Sequence, residues 1–426
     1  MCVATLLGVA ALLRAFAVLL IPSPLESDYL GYWAIANNLA DGRGLANLAG
    51  EPTAFLSLGY PILLGAVLSF TGPEIAAAKA LNLLLGLGAI LLLHLAARAL
   101  FRSIAAALCA TALFAVYLEP VVYTAYVAKE NLMIPLILVL VALASHAGGR
   151  GAAVPAWNPL LFGVAAGWLA MTGNAALALL PGLVLVILFA TGSARATAGY
   201  LCVAALVAAL TTAPLMWRNL NTFGGYALNN NGGFNLYIGN NPAATPYFQS
   251  IAETPMGAGW HALRMREGER GADRRLGAMA LRHILDNPGA TTALAVRKAI
   301  AFWEPPTHTG RNQTSRAEQL VRLAWLAQYV ALCALAVASL AQWRRQGRAL
   351  AALMVMLAGY TAVHMLFYVV YRYRLPIMPL VCLLGGVGLL AMQAQLRAGR
   401  GLAPVRRSRF TAAGAGGGPD GPGAAF

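Results

Sequence analysis

The chain has 426 residues, of which 59% are hydrophobic and only 11% are charged, and its formal net charge is +15. Soluble globular domains carry about 25% charged residues, so this composition excludes a water-soluble globular protein. A basic chain can indicate a nucleic-acid partner. Here the positive charges flank long apolar runs, and we expect no nucleic acid to bind.

Ten apolar segments, most of them close to the length that crosses a bilayer, predict transmembrane helices. They cover 3–21, 75–97, 103–118, 130–147, 159–172, 174–191, 197–216, 321–342, 349–369 and 375–395. The apolar segment 55–71 is close to the lower length limit for a span, and it predicts a helix that lies at the membrane interface or re-enters the membrane. The runs are continuous, which excludes a transmembrane barrel. The sequence therefore predicts an all-α polytopic membrane protein with about ten transmembrane helices.

The loop charges predict how the chain is oriented in the membrane. With the N-terminus inside, the arginines of the short loops and of the tail fall on the inner side, as the positive-inside rule requires. Of the fifteen acidic residues, all but Asp420 then fall in outer loops or at outer span ends. We therefore expect a multi-pass protein of the plasma (inner) membrane with both termini in the cytoplasm.

The predicted organisation has four parts. An N-terminal membrane module covers 1–216 and contains the first outer loop at 22–71. A mixed extracytoplasmic loop region follows at 217–317, and C-terminal membrane helices cover 318–396. The tail at 397–426 is rich in glycine and proline, which predicts disorder.

The first outer loop begins with the polar stretch ESDYLGYWAIANNLADGRGL at 26–45. Ser27 is a suitable N-cap for a short helix, and Asp28 would lie in its first turn, where the helix dipole favours a carboxylate. A spacing of four residues places Asp28 and Tyr32 on one face. From the spacing alone, Asp28 is either a functional carboxylate or a residue that only starts the helix.

Several stretches, in this order, resemble the polyprenyl-phosphate-dependent glycosyltransferases of the GT-C fold. The similarity is greatest to the family-39 relatives of protein O-mannosyltransferases and lipid A aminoarabinose transferases. The stretches are SDYLGYWAIANNLADGRGL at 27–45, EPTAFLSLGYPILLGAVL at 51–68, AKENLMIPLILVLVALA at 128–144, GFNLYIGNNPAAT at 233–245, ADRRLGAMALRHILDNPGATTALAVRKAIAFWEP at 272–305 and YRYRLPIMPL at 371–380. The resemblance extends over nearly the whole chain before the tail.

The resemblance implies an inverting transfer of a sugar from a polyprenyl-phosphate donor to a lipid, protein or glycan acceptor outside the cytoplasm. It assigns Asp28 to activation of the acceptor. Some relatives carry an Asp-Glu pair at this place, whereas this chain has Asp28-Tyr29, so a two-carboxylate mechanism is doubtful here. The residues predicted to contact the substrates are Tyr32, Glu26, Glu130 and Tyr373.

Such a reaction needs cations against the phosphate, whose negative charge grows as the bond to the sugar breaks. Cationic side chains at the predicted outer level are Lys79, Lys129, Arg218, Arg372 and Arg374. Arg372 and Arg374 precede the last span on the outer side, against the positive-inside bias, and a guanidinium suits bidentate phosphate binding. The Lys129-Glu130 pair matches an acidic position of the family, and its alternative interpretation is an interface anchor.

Two other classes of function stay open at this level. A secondary transporter or lipid-linked glycan flippase would concentrate polar residues at the bilayer midplane, often in inverted repeats, and this chain shows no repeat. A membrane subunit that only binds lipids is the third possibility. We expect no metal and no other cofactor, since no histidine spacing supports a metal site, and we expect the arginine inside the first span, Arg14, to have a structural partner.

Overall fold

A computed structural model describes residues 2–148, 154–307 and 315–399, and the secondary structure of these residues is helical apart from two isolated β-bridges. Most of the tail predicted at 397–426 lies outside the described residues. The α-helices are α1 Val3–Leu20, α2 Ser27–Ala40, α3 Gly59–Thr71, α4 Ile75–Phe101, α5 Ile104–Val116, α6 Leu118–Tyr123, α7 Glu130–Ser145, α8 Trp157–Gly173, α9 Leu180–Thr191, α10 Ala194–Phe223, α11 Gly232–Gly239, α12 Gly259–Asp286, α13 Pro288–Trp303, α14 Arg316–Ala338, α15 Trp343–Leu366 and α16 Met378–Gly399.

Short 3₁₀ segments adjoin several of these helices. They are Asn174–Leu179, Ile251–Glu253, Ser339–Gln342 and Tyr371–Ile377. Each of the ten predicted spans falls on a helix or on a helix with its adjoining 3₁₀ segment, and the predicted interfacial segment contains α3. By length and composition, 6 helical stretches in the described part of the chain could cross a membrane. The all-helical membrane architecture is therefore confirmed, and the number of helices that cross stays a prediction.

The last helix of the described residues, α16, is mostly buried and packs against both α5 and α14. Its glycines allow this close packing. A Cβ atom on Gly386 would lie 2.6 Å from the backbone nitrogen of Ala110, and one on Gly388 would lie 1.8 Å from the carbonyl oxygen of Leu335. Small residues let helix backbones approach closely in membrane proteins. This packing fixes α16, and with it the 3₁₀ segment that carries Arg372.

Arg14 of α1 is fully buried, and its partners are backbone carbonyls rather than an acid. One guanidinium nitrogen lies 3.4 Å from the oxygens of both Ala10 and Ala115. A charge inside a span is expensive unless it is paired within the bundle. The structural role expected for Arg14 is consistent with this contact, which joins α1 to the end of α5.

Candidate active site

The polar stretch at the start of the first outer loop forms α2, which presents Asp28. Ile21 to Glu26 are not helical, and the two prolines in this segment favour extended conformations in the residues before them. The prediction that Ser27 caps the helix is wrong. Ser27 is the first helical residue, with φ of 50°, and the carbonyl of Glu26 accepts the first backbone hydrogen bonds instead, from Tyr29 and Leu30. Asp28 lies in the first turn, as predicted.

Asp28 forms an ion pair with Arg372, which reaches it from the 3₁₀ segment before α16. The Nε atom of Arg372 also lies 4.0 Å from Oε1 of Glu130, at the start of α7. The exposed fractions of the three side chains are 32% for Asp28, 18% for Arg372 and 3% for Glu130. The guanidinium carbon lies 5.6 Å from the ring centre of Tyr29 and 5.8 Å from that of Tyr373. Two acids and two rings thus hold this cation.

Lys129 precedes Glu130 and completes a set of two acids and two cations, which we call the cavity cluster: Asp28, Lys129, Glu130 and Arg372. The Nζ atom of Lys129 donates to the hydroxyl of Ser57, at 3.4 Å. Burial lowers the pKa of the Lys129 ammonium, and the nearby carboxylates of Glu130 and Asp28 partly oppose this shift. The ammonium has no carboxylate within ion-pair distance among the described residues, so it can bind an additional anion.

The cavity cluster opens into a cavity of about 540 Å³ with aromatic walls. Asp28, Lys129 and Arg372 line it, and Glu130 lies behind Arg372 in an adjoining cavity of about 110 Å³. The two cavities share Lys129, Asn231, Asn235, Tyr368 and Tyr373. Together they combine charged groups with amide and hydroxyl groups, which is a suitable lining for a polar ligand with an anionic group.

The predicted substrate-contacting tyrosines also lie at this cavity. Tyr32 is buried one turn after Asp28, with its ring edge-on to Tyr60 at 6.1 Å between ring centres. Burial raises the pKa of the Tyr32 phenol well above its ordinary value, so this hydroxyl stays neutral. Tyr373 donates from its hydroxyl to that of Tyr368, at 3.3 Å. Glu26 is exposed and does not line either cavity.

Arg374 has no place in the cavity, although it stands only two residues from Arg372. Its side chain is 1% exposed. One guanidinium nitrogen donates to the carbonyls of Phe302 and Glu304 and to the hydroxyl of Tyr329. This arrangement joins the 3₁₀ segment to the end of α13. The structure thus places Arg374 apart from the cavity, with one guanidinium nitrogen bound to backbone carbonyls, and its predicted contact with a lipid phosphate is not carried forward.

Lys79 also lies apart from the cavity. Its Nζ atom donates to the carbonyls of Val18 and Ile21, at 2.8 and 2.9 Å. These are orphan carbonyls at the C-terminal end of α1, where the helix dipole favours a cation. Lys79 therefore caps a helix, and its predicted contact with the phosphate is not carried forward.

Arg218 holds the first outer loop in place. Its guanidinium donates to the carbonyls of Thr53 and Leu45, at 2.9 and 2.8 Å. Glu269 of α12 binds the same loop through the Thr53 hydroxyl at 2.6 Å and the Ala54 amide at 2.8 Å. Residues 55–57, which follow directly, line the cavity. The structure thus gives Arg218 a positioning role rather than the predicted phosphate contact.

Several cavity residues were not singled out from the sequence. Glycine and asparagine predict turns around Asn231, Phe234 and Asn235, but the structure places Phe234 and Asn235 in α11, and Tyr368 lies in an apolar run. The density of amide side chains in NNNGGFN is the one signal that could have indicated them. No group of three or more His, Cys, Asp or Glu side chains within 2–148, 154–307 and 315–399 could hold a metal ion.

No family model matches the sequence, and a search of curated proteins finds no match. Among solved structures, the archaeal oligosaccharyltransferase AglB from Archaeoglobus fulgidus, in complex with an inhibitory peptide and a dolichol-phosphate, superposes with a TM-score of 0.51 and 14% sequence identity. The superposition covers 96% of this chain and 52% of AglB. The apo form of the A. fulgidus oligosaccharyltransferase gives a TM-score of 0.52 and 13% identity, over 94% of this chain and 51% of that one.

The chain has the GT-C fold. It spans about half the length of the oligosaccharyltransferases that it matches. ArnT from Cupriavidus metallidurans, bound to undecaprenyl phosphate, superposes with a TM-score of 0.49 and 16% identity over 95% of this chain and 81% of ArnT. The oligosaccharyltransferase superpositions, at 13–14% identity, show a shared fold alone, and the assignment to family 39 stays a prediction.

Proposed function

We propose that this GT-C chain is a membrane glycosyltransferase that moves a sugar from a polyprenyl-phosphate donor to an acceptor on the extracytoplasmic face. The observation that carries the proposal is the cavity cluster. It presents one half-exposed carboxylate and two cations to the same cavity, with a buried acid behind them. An acid and cations are the groups that transfer from a lipid phosphate requires.

Arg372 and Lys129 bind the donor phosphate in this proposal. The guanidinium of Arg372 can offer two parallel donors to phosphate oxygens, and Lys129 adds a compact positive charge. AglB, whose fold this chain shares, was solved with a dolichol-phosphate, which supports a donor of the lipid-phosphate class. The smaller cavity behind Lys129, with the amides of Asn174, Asn231 and Asn235 in its wall, is the proposed place of the sugar.

Asp28 acts as the base toward the acceptor. The acceptor hydroxyl loses its proton to the Asp28 carboxylate while its oxygen forms a bond to the anomeric carbon. The bond from that carbon to the phosphate oxygen breaks, and its electron pair leaves with the polyprenyl phosphate. The leaving phosphate gains one negative charge in this step, and Arg372 and Lys129 stabilise that charge. Attack opposite the leaving group inverts the anomeric centre.

The ion pair between Asp28 and Arg372 implies an order of events. While Oδ2 of Asp28 is bound to the Arg372 guanidinium, this oxygen is occupied and is not available to accept the proton of the acceptor. When the donor phosphate binds, it competes with Asp28 for Arg372. Glu130 keeps its position 4.0 Å from Nε of Arg372 and retains the cation at the site. Donor binding therefore releases Asp28 as a base, and donor precedes acceptor.

The proposed location of the reaction rests on the charges of the loops. Asp28, Glu130 and Arg372 lie at the bundle end where α7 begins, and the arginines of the short loops lie at the opposite end. The positive-inside rule assigns the arginine-rich end to the cytoplasm. The acceptor is a lipid, a protein or a glycan that reaches the cavity from the other side.

The test is transfer of label by the purified full-length chain. Polyprenyl-phosphate donors that carry different radiolabelled sugars are incubated with lipid, protein and glycan acceptors, and products are separated from the donor. The proposal expects label to become covalently attached to one acceptor class with release of polyprenyl phosphate. Movement of an intact lipid-linked sugar across vesicles, with no covalent transfer to any acceptor, would contradict it and would favour a flippase.

A further inference from the structure

A second polar cavity, of about 310 Å³, lies at the opposite end of the bundle. It forms where α4, α7 and α9 end and α15 begins. Helix α7 runs from Glu130 at the cavity cluster to Ser145 at this second cavity, which separates the two by about 22 Å at 1.5 Å per residue. This site is therefore distinct from the proposed active site. Its lining includes Arg102, Phe189, Arg345 and Arg348.

Three arginines line this second cavity, and no acid does. Arg102 comes from the end of α4, and Arg345 and Arg348 come from the start of α15. The ion pairs found within the described ranges involve other arginines. Like charges around one cavity repel each other. An anion bound between the three guanidiniums would remove that repulsion.

The backbone at Arg102 is a second, independent observation. This residue ends α4 in the left-handed conformation, with φ of 49° and ψ of 35°. Glycine usually occupies this position because it has no Cβ atom. The amide of Gln346 donates to the carbonyl of Phe101, at 3.2 Å, and ties α15 to this helix end. The Arg102 guanidinium is therefore held at the cavity although the backbone conformation of this residue favours glycine.

The cavity combines these cations with an apolar wall. Leu100, Val186 and Ala352 contribute to the lining, and the ring centre of Phe189 lies 5.6 Å from the guanidinium carbon of Arg348. Trp343 stands exposed at the start of α15, and tryptophan favours the membrane interface. A small soluble anion would use only the cations. A lipid would contact both the arginines and the apolar wall, because its phosphate is charged and its chains are apolar.

We propose that this cavity binds the headgroup phosphate of an anionic membrane phospholipid. The guanidiniums of Arg102, Arg345 and Arg348 bind the phosphate oxygens, and the acyl chains lie along the apolar wall. Basic pockets between transmembrane helices on the cytoplasmic side are suited to anionic headgroups. This proposal is independent of the proposed transfer reaction, because it uses none of the residues of the cavity cluster.

The test measures lipids that the full-length chain retains in native mass spectrometry. The protein is prepared in nanodiscs with equal amounts of phosphatidylglycerol and phosphatidylcholine. The wild type should retain phosphatidylglycerol in preference to phosphatidylcholine. The double variant Arg345→Gln/Arg348→Gln should bind phosphatidylglycerol about 30-fold more weakly, because each arginine near a headgroup contributes a similar part of the binding free energy and the variant removes two.

The matched control is Arg195→Gln/Arg344→Gln, which removes the same charge from exposed arginines at the same end that do not line the cavity. It should keep the preference. Arg102→Gly removes the third cation where the backbone suits glycine, so it should weaken binding about fivefold with no loss of thermal stability. If the double variant does not fold, Arg102→Gly decides. Equal losses in cavity and control variants, no preference in the wild type, or displacement of the lipid by excess inorganic phosphate would overturn the proposal.

Discussion

Arg372 and Arg374 stand two residues apart in one 3₁₀ segment, and the regions around them are built differently. Arg372 faces a cavity and pairs with carboxylates, from Asp28 and Glu130. Arg374 is buried, and one of its guanidinium nitrogens donates to two backbone carbonyls and a tyrosine hydroxyl. A carboxylate can exchange a partner for a phosphate, whereas a backbone carbonyl at a helix end cannot move away. The first region is suited to chemistry and the second to holding elements together.

Among the variants of the region around Arg372, Asp28→Asn should have the largest effect on the rate of transfer. The amide keeps the shape of the side chain but cannot accept the proton of the acceptor, and general bases contribute about 10²–10⁴-fold to rate. We expect transfer to fall about 10³-fold in the radiolabel assay with unchanged thermal stability. Asp41→Asn, at the exposed other end of α2, is the matched control and should keep full activity. Full activity in Asp28→Asn would contradict the assigned base.

Arg372→Gln should lower transfer about 10²-fold, the usual effect of removing one group that stabilises charge in a transition state. Arg372→Lys should recover part of this loss, since it restores the charge but not the bidentate geometry. Initial rates over a range of donor concentrations separate kcat from the donor KM, and we expect both to change. A variant whose donor KM and kcat both equal those of wild type would show that Arg372 does not contact the phosphate.

Arg374→Met should instead lower the free energy of unfolding, by about 3 kcal/mol. It leaves the carbonyls of Phe302 and Glu304 without their donor, and an unpaired buried polar group is expensive. Thermal unfolding in detergent measures the change, with Arg297→Met on the exposed side of α13 as the control. Activity per folded molecule should stay close to that of wild type. A stable variant that had lost donor binding would reverse the roles assigned to the two arginines.

The region around Arg374 should also respond to pH through Glu119. This side chain is buried in α6, and burial raises the pKa of its carboxyl to about 7, although the charge of Arg374 opposes the shift. Between about pH 4.5 and 7 the folded chain then holds more protons than the unfolded chain. Stability contributed by Glu119 should therefore decrease as pH rises through this window, by about 3 kcal/mol.

Glu119→Gln should remove that part of the pH dependence. The measurement compares unfolding temperatures of wild type and variant from pH 4.5 to 8, and the difference between the two curves isolates Glu119 from other titrating groups. Tyr117 donates to the Glu119 carboxyl at 3.1 Å, and glutamine preserves an acceptor for it. Parallel curves over the whole range would mean that the buried carboxyl does not titrate there.

The helices and much of the site could be predicted from the sequence because their signals are local. Apolar runs predict the helices of the bundle. The four-residue spacing of Leu276, Ala280 and Ile284 predicts one face of α12, on which Leu276 and Ala280 are fully buried and Ile284 is half-buried. Asp28 in the first turn of α2 follows from the position of the polar stretch. The convergence of Asp28, Lys129 and Arg372 could be suggested only by resemblance to a family, since these residues lie far apart in the chain.

The remaining site residues could not be predicted because their partners carry no signature in the sequence. Backbone carbonyls, which every residue has, are the partners of Lys79, Arg218 and Arg374. The sequence therefore does not distinguish a cation that binds carbonyls from one that is available to a ligand. Arg372 and Arg374 looked equivalent because the direction of each side chain depends on the 3₁₀ conformation of Tyr371–Ile377. The capping error at Ser27 has the same origin, as the Glu26 carbonyl accepts the hydrogen bonds.

The most direct test of the central claim is the affinity for polyprenyl phosphate in wild type and in Asp28→Asn, measured beside transfer activity. If Arg372 exchanges Asp28 for the phosphate, removal of the Asp28 charge frees the guanidinium and takes a negative charge out of the cavity. We predict that Asp28→Asn binds polyprenyl phosphate severalfold more tightly than wild type while its transfer activity is lost. Equal or weaker binding in Asp28→Asn would contradict the exchange of partners at Arg372.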